Sequence, residues 1–144
     1  NALRSMPSEQ TRDSSPPSLS RGAAGISTFG SCAPSATRFC ILEGRFAVEA
    51  HWEDFEGNTG VAFAGTLTDD TGYLYFFDSE NVEVVLKAID GGGLNDHFWI
   101  YYGALSNVEY TITVTDTVAG ASRIYRNPLG SFGSFGDIEA FPAD

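Results

Sequence analysis

From about residue 40 onward the chain alternates apolar and polar positions in short runs broken by turn residues. The clearest run is Glu109–Thr115, with Tyr110, Ile112 and Val114 on one side and Glu109, Thr111, Thr113 and Thr115 on the other. Arg45–Trp52 sets Phe46, Val48, Ala50 and Trp52 against Arg45, Ala47, Glu49 and His51. A period of two belongs to a strand with one buried face. Val82–Ile89 repeats it through Val82, Val84, Leu86 and Ala88, while Val85 and Ile89 give its second face apolar character. Val61–Leu67, Tyr73–Phe77, His97–Tyr102 and Ala121–Asn127 complete the predicted strands. Turns are expected at EGNTG (Glu56–Gly60), TDDTG (Thr68–Gly72), DGGGLN (Asp90–Asn95) and DTVAG (Asp116–Gly120). Glycine and β-branched residues disfavour helix throughout. The expected fold is therefore all-β, an antiparallel β-sandwich of about seven strands, immunoglobulin-like or jelly-roll-like. Past Asn127 the alternation loosens through GSFGSFGD (Gly130–Asp137), and no strand is expected there.

The first residues differ in kind. Ser8–Gly25, SEQTRDSSPPSLSRGAAG, is rich in Ser and Pro and has no apolar period. Such a stretch buries too little surface to offset its ordering entropy. The chain therefore divides into an extended N-terminal arm, residues 1–39, and a β-sandwich domain, residues 40–144. Within the arm only Ile26–Phe29 (ISTF) has strand character.

Charge sharpens this division. Residues 1–40 hold four basic and two acidic side chains, net +2, whereas residues 41–144 hold four basic and 17 acidic ones, net −13. The overall balance of −11 argues against nucleic acid as a partner, since phosphate binding needs a basic surface. No apolar run approaches the roughly 20 residues of a membrane-spanning helix. The chain begins at Asn1 with no visible signal peptide, as a mature, processed chain would, or a trimmed one. Cys32 and Cys40 are close enough to close a disulfide loop, as expected of a secreted protein. A zinc site from Cys32, Cys40, His51 and His97 matches no standard ligand spacing.

Four stretches together, WEDFEGNTG, DTGYLYFFDSENVEVVLKAIDG, NDHFWIYYGALSNVEYTITVTDT and YRNPLG, resemble a small extracellular β-domain of secreted bacterial proteins. That domain often lies near the C-terminus of larger chains or occurs in copies. The resemblance covers about residues 40–141. It implies a secreted bacterial accessory or surface domain and carries over no catalytic residues.

Candidate chemistry is sparse. His51 lies near Glu53 and Asp54, and His97 follows Asp96, but neither has an evident nucleophile or orienting third group, so no enzyme is expected. Asp69, Asp70, Asp78, Glu80, Asp90 and Asp96 sit in turns and read better as solvated residues than as a Ca²⁺ cage; no cofactor is expected. DGGGLN lacks the Lys and the following helix of a phosphate loop. The aromatic runs YLYFF and HFWIYY are apolar on both faces, which suggests a second buried surface at Tyr73, Tyr75, Phe77, Trp99 and Tyr101. A neighbouring subunit is the first reading of that surface and a glycan the second. The leading expectation is a secreted structural subunit that self-assembles into an extracellular filament or surface layer. Its arm, through Leu19, Arg21, Ile26 and Phe29, would add to a neighbour's open sheet edge. The alternatives are a carbohydrate- or surface-binding module and an accessory domain of a longer enzyme.

Overall fold

The computed structural model describes Gly30–Ala143, all of it strand, turn and loop. In chain order the strands are β1 Phe39–Ile41, β2 Phe46–Glu53, β3 Thr59–Val61, β4 Phe63–Thr68, β5 Thr71–Tyr75, β6 Val84–Gly91, β7 His97–Ala104, β8 Glu109–Asp116, β9 Ala121–Asn127 and β10 Ser134–Pro142. β2 and β8, the runs with the cleanest alternation, pair antiparallel from Phe46↔Asp116 to Glu53↔Glu109. β1 and β3 flank β2, and β9 flanks β8, which completes one sheet. The second sheet runs β10-β7-β6-β5-β4. The architecture is a β-sandwich, as the alternation predicts. Leu19, Arg21, Ile26 and Phe29 lie outside the described residues.

The core is the sum of the inward-facing positions. Phe46, Val48, Ile112 and Val114 of the first sheet meet Leu74, Val84, Leu86 and Ile100 of the second, all essentially inaccessible to water. Phe46 locks the two layers by packing on Phe98 at 5.0 Å and on Phe141 at 5.1 Å between ring centroids. Edge and tilted contacts of this kind add to plain area burial.

The sequence reading differs from the fold at three places. Val61–Leu67 is not one strand. At Ala62 the chain leaves the first sheet, where Ala62 N–H donates to Ala50 O, and Ala64 N–H then donates to Ala36 O as β4 joins the second. A corner of this kind leaves no mark on a period of two. β1 is too short to show a period, yet Phe39 and Ile41 are core residues. The loosened tail is in fact β10, an edge strand paired to β7 with a register shift between Asp137 and Phe141. Its glycines and bulge break the alternation that would have announced it.

Gly30–Phe39 is laid on the body. Gly30 N–H donates to Glu43 O and Cys32 N–H to Gly44 O. Cys32 and Cys40 are joined in a disulfide with Cα atoms 5.9 Å apart. The adjoining β1–β2 turn carries positive φ at Leu42 and Glu43 as well as Gly44. Asp69 holds it there, its carbonyl accepting from Leu42 N–H and its carboxylate from Glu43 N–H. Beside this turn Arg45 and Asp116 form a buried two-point ion pair, both contacts 2.9 Å.

Candidate functional site

Strand parity sorts the aromatic residues. Leu74, Phe76, Phe98 and Ile100 point into the core, and Tyr73, Tyr75, Trp99 and Tyr101 point out of the second sheet, each half-buried. Cross-strand register explains the burial. Tyr73 lies opposite Gly65 and Tyr101 opposite Gly136. A Cβ built on Gly65 would stand 2.4 Å from the Tyr73 ring, and one on Gly136 would stand 2.6 Å from that of Tyr101. A Cβ on Gly91 would stand 2.3 Å from Trp99 Nε1. These rings therefore lean on the backbone of the neighbouring strand, and Trp99 and Tyr101 meet edge to face, their centroids 6.5 Å and their planes 75° apart. Asn95 fixes Trp99 by accepting from its Nε1 at 2.7 Å, and Tyr75 stacks on Phe63 at 5.2 Å.

Lys87 stands on β6 in the middle of this face, with its Nζ 6.0 Å from the centroid of Tyr101. It is the sole charged side chain at the outward positions of β4, β5 and β6, which otherwise present Phe63, Gly65, Thr71, Tyr73, Tyr75, Val85 and Ile89. Gly103, opposite Val85, leaves open space where a side chain would stand. Phe77 is not part of the platform. It lies past the end of β5 and packs edge-on against Trp52 at 4.7 Å.

The sandwich has two unlike ends. The chain enters at Gly30 beside the β1–β2 turn, at the end that also holds the β4–β5, β6–β7 and β8–β9 turns. The opposite end holds the β2–β3, β5–β6, β7–β8 and β9–β10 loops, and on them Phe55, Phe77, Leu105, Leu129 and Phe132 are exposed. Asp54 shapes the β2–β3 loop. The Asn58 side-chain amide, helped by backbone N–H groups of Asn58, Glu56 and Gly57, holds its carboxyl below the ordinary range against a smaller opposing effect of burial. Asn127 shapes the β9–β10 loop, donating to Val108 O and Ser131 O and accepting from Gly133 N–H.

The remaining candidates do not converge. His51 lines a surface cavity of about 170 Å³ on the first sheet with Glu53, Thr59, Glu109 and Thr111. Glu109 there is engaged by Arg126 at 3.1 Å, and no carboxylate among the described residues orients His51 through a hydrogen bond. His97 lies at the other end, its Nδ1 against Asn95 O, and both cysteines are oxidised, so the zinc set is never assembled. Of the turn carboxylates, Asp78 and Glu80 sit at one end and Asp69, Asp70, Asp90 and Asp96 at the other. Among the described residues no three His, Cys, Asp or Glu side chains group as a metal site.

Gly65, Gly136, Gly91 and Lys87 complete the aromatic face and escaped the sequence reading. Their signal is a glycine or a cation in register with an aromatic on the next strand, which is legible only once pairing is known. No helix among the described residues is long and apolar enough to cross a membrane. Comparison with protein-family models, with curated proteins and with solved structures finds no match.

Proposed function

We propose that this chain is a secreted bacterial structural module, without a catalytic role, that self-associates head to tail into an extracellular filament or surface layer. The observation that carries the reading is the polarity of the sandwich. Residues 1–29 join at Gly30, at one end, whereas Phe55, Phe77, Leu105, Leu129 and Phe132 stand exposed at the other. A contact between unlike surfaces whose rotation does not close into a ring builds an open filament. The net +2 of residues 1–40 against the net −13 of residues 41–144 favours the segment of one copy meeting the body of the next. Among the described residues β9 and β10 are edge strands, each paired on one side, able to take an added strand such as Ile26–Phe29. The Cys32–Cys40 disulfide and the resemblance to secreted bacterial β-domains support an oxidising, extracellular setting.

The test compares the full chain with a chain lacking residues 1–29 by light scattering and negative-stain electron microscopy. The full chain is expected to assemble and the shortened one to remain as single particles. A full chain that stays monomeric at high concentration overturns the reading. A second reading, a carbohydrate- or surface-binding accessory module, is favoured by the outward aromatic face of the second sheet.

A further inference from the structure

The geometry points to the outer face of the second sheet as a binding site for a neutral polysaccharide, whose pyranose rings stack on Tyr73 and Tyr101 beside Trp99 while its hydroxyls accept from Lys87. This inference is independent of self-association, because it uses neither the ends of the sandwich nor residues 1–29. The rings come first in the argument. Each lies on the backbone of its own sheet, Tyr73 over Gly65, Tyr101 over Gly136 and Trp99 against Gly91. Trp99 stands at 75° to Tyr101 with ring centroids 6.5 Å apart, so the two rings offer a sugar a face and a side wall rather than one flat floor. β5 and β7 are two strand spacings apart and Tyr101 lies two residues along from the level of Tyr73, so the two stand about 12 Å from each other diagonally across β6. One saccharide chain can rest on both. Trp99 is held by Asn95 at 2.7 Å and Tyr101 by the strand beneath it, so little ordering entropy is lost on binding.

Charge selects the occupant. A body of net −13 presents here a face with no carboxylate at the outward positions of β4, β5 and β6, and with Lys87 at its centre. A second copy fits badly. Protein interfaces deplete charge, lysine above all, from the middle of the patch, and pairing would bring two acidic bodies together. Residues 1–29 fit badly as well, since Arg4, Arg12 and Arg21 find no carboxylate at the outward positions of β4, β5 and β6. A polyanionic glycan meets the acidic body around the patch. A neutral polysaccharide meets none of these objections, and its hydroxyls give the Lys87 ammonium acceptors. Gly103, with open space above it, leaves a dip between Tyr101 and Val85 in which a sugar ring can settle.

The experiment is affinity electrophoresis of the full chain in native gels containing mixed-linkage β-glucan, xyloglucan, glucomannan or starch, with binding to insoluble cellulose and chitin measured alongside. Retarded migration or retention is expected with at least one of these polymers. Tyr101→Ala should weaken it about tenfold or more, the loss of one well-placed aromatic contact. Gly103→Leu adds a side chain where nothing lies within 4 Å, so the fold is retained while the dip is filled, and it should weaken binding to a similar degree. Ile124→Ala, on the outer face of the first sheet, should leave binding unchanged. Absence of interaction with every polymer overturns the proposal, as does undiminished binding by a folded Gly103→Leu chain. Retardation by polygalacturonate alone overturns the assignment of a neutral ligand.

Discussion

Arg45 and Asp116 show how much one buried pair can carry. Their two-point contact is almost wholly shielded from water, and Asp116 also accepts from the N–H groups of Val118 and Ala119 in the β8–β9 turn. Asp116→Ala removes both oxygens that receive the buried guanidinium, which also lies over Phe98, and frees the turn. The expected cost is about 3–5 kcal/mol, read as a fall in the denaturation midpoint. Two buried tyrosines should respond in opposite ways to loss of their hydroxyl. Tyr110 OH is buried without a hydrogen-bond partner among the described residues, so Tyr110→Phe should leave stability unchanged or raise it by about 1 kcal/mol. Tyr125 OH donates to Asp137 Oδ2 at 2.7 Å, so Tyr125→Phe should cost about 2 kcal/mol. Burial raises the pKa of Tyr102, Tyr110 and Tyr125 above the ordinary 10.0, and the neighbouring Asp137 raises that of Tyr125 further. The folded state thus keeps protons that the unfolded state gives up. Stability from these groups should be complete below pH 10.0 and decline as pH rises above it, in denaturant titrations followed from pH 8 to 11.

Among the elements, the edge strands and the loops that launch them depend on single polar residues. β10 has weak intrinsic strand character, yet it is carried to β7 by the β9–β10 loop, and that loop is wired through Asn127. Asn127→Ala removes the side-chain bonds to Val108, Ser131 and Gly133 and leaves their backbone groups to find water. A loss of about 2–3 kcal/mol is expected, with the fastest hydrogen exchange appearing in Ser134–Pro142. An undisturbed β10 in that variant would show that β7 pairing alone suffices. The aromatic–glycine pairs work at the same scale. Tyr73 on Gly65 and Tyr101 on Gly136 shield strand backbone that has no side chain of its own, and this is how an aromatic face coexists with a glycine-rich sheet.

For the whole molecule, the decisive features are a disulfide-tied entry segment and two unlike ends. The Cys32–Cys40 link and the hydrogen bonds of Gly30 and Cys32 to the β1–β2 turn hold the point from which residues 1–29 depart. Replacing both cysteines by serine should lower stability by about 2–3 kcal/mol, the value of a short closed loop. It should also loosen Gly30–Phe39 without unfolding the sandwich, whose remaining core is intact. If self-association runs through this end, that variant should assemble less readily than the wild-type chain at equal concentration, as measured by light scattering.

The alternation of apolar and polar residues by itself determined the all-β class, six of the central strands and which aromatic of each pair faces the core. That information is local, because successive side chains on a pleated strand must point to opposite sides. Two nearby cysteines were likewise enough to indicate their link. What only the tertiary structure decided is who lies beside whom. Glu109–Asp116 finds Phe46–Glu53 across some sixty intervening residues, Ser134–Pro142 becomes a strand by pairing with β7, and the chain turns from one sheet to the other at Ala62. The same non-local pairing sets Tyr73 on Gly65 and Tyr101 on Gly136, puts Lys87 between them, and gathers Phe55, Phe77, Leu105, Leu129 and Phe132 at the end away from Gly30. No residue carries the identity of its cross-strand neighbour in its own chemistry. Backbone hydrogen bonds are the same for every sequence, and register is chosen by the packing of the whole core.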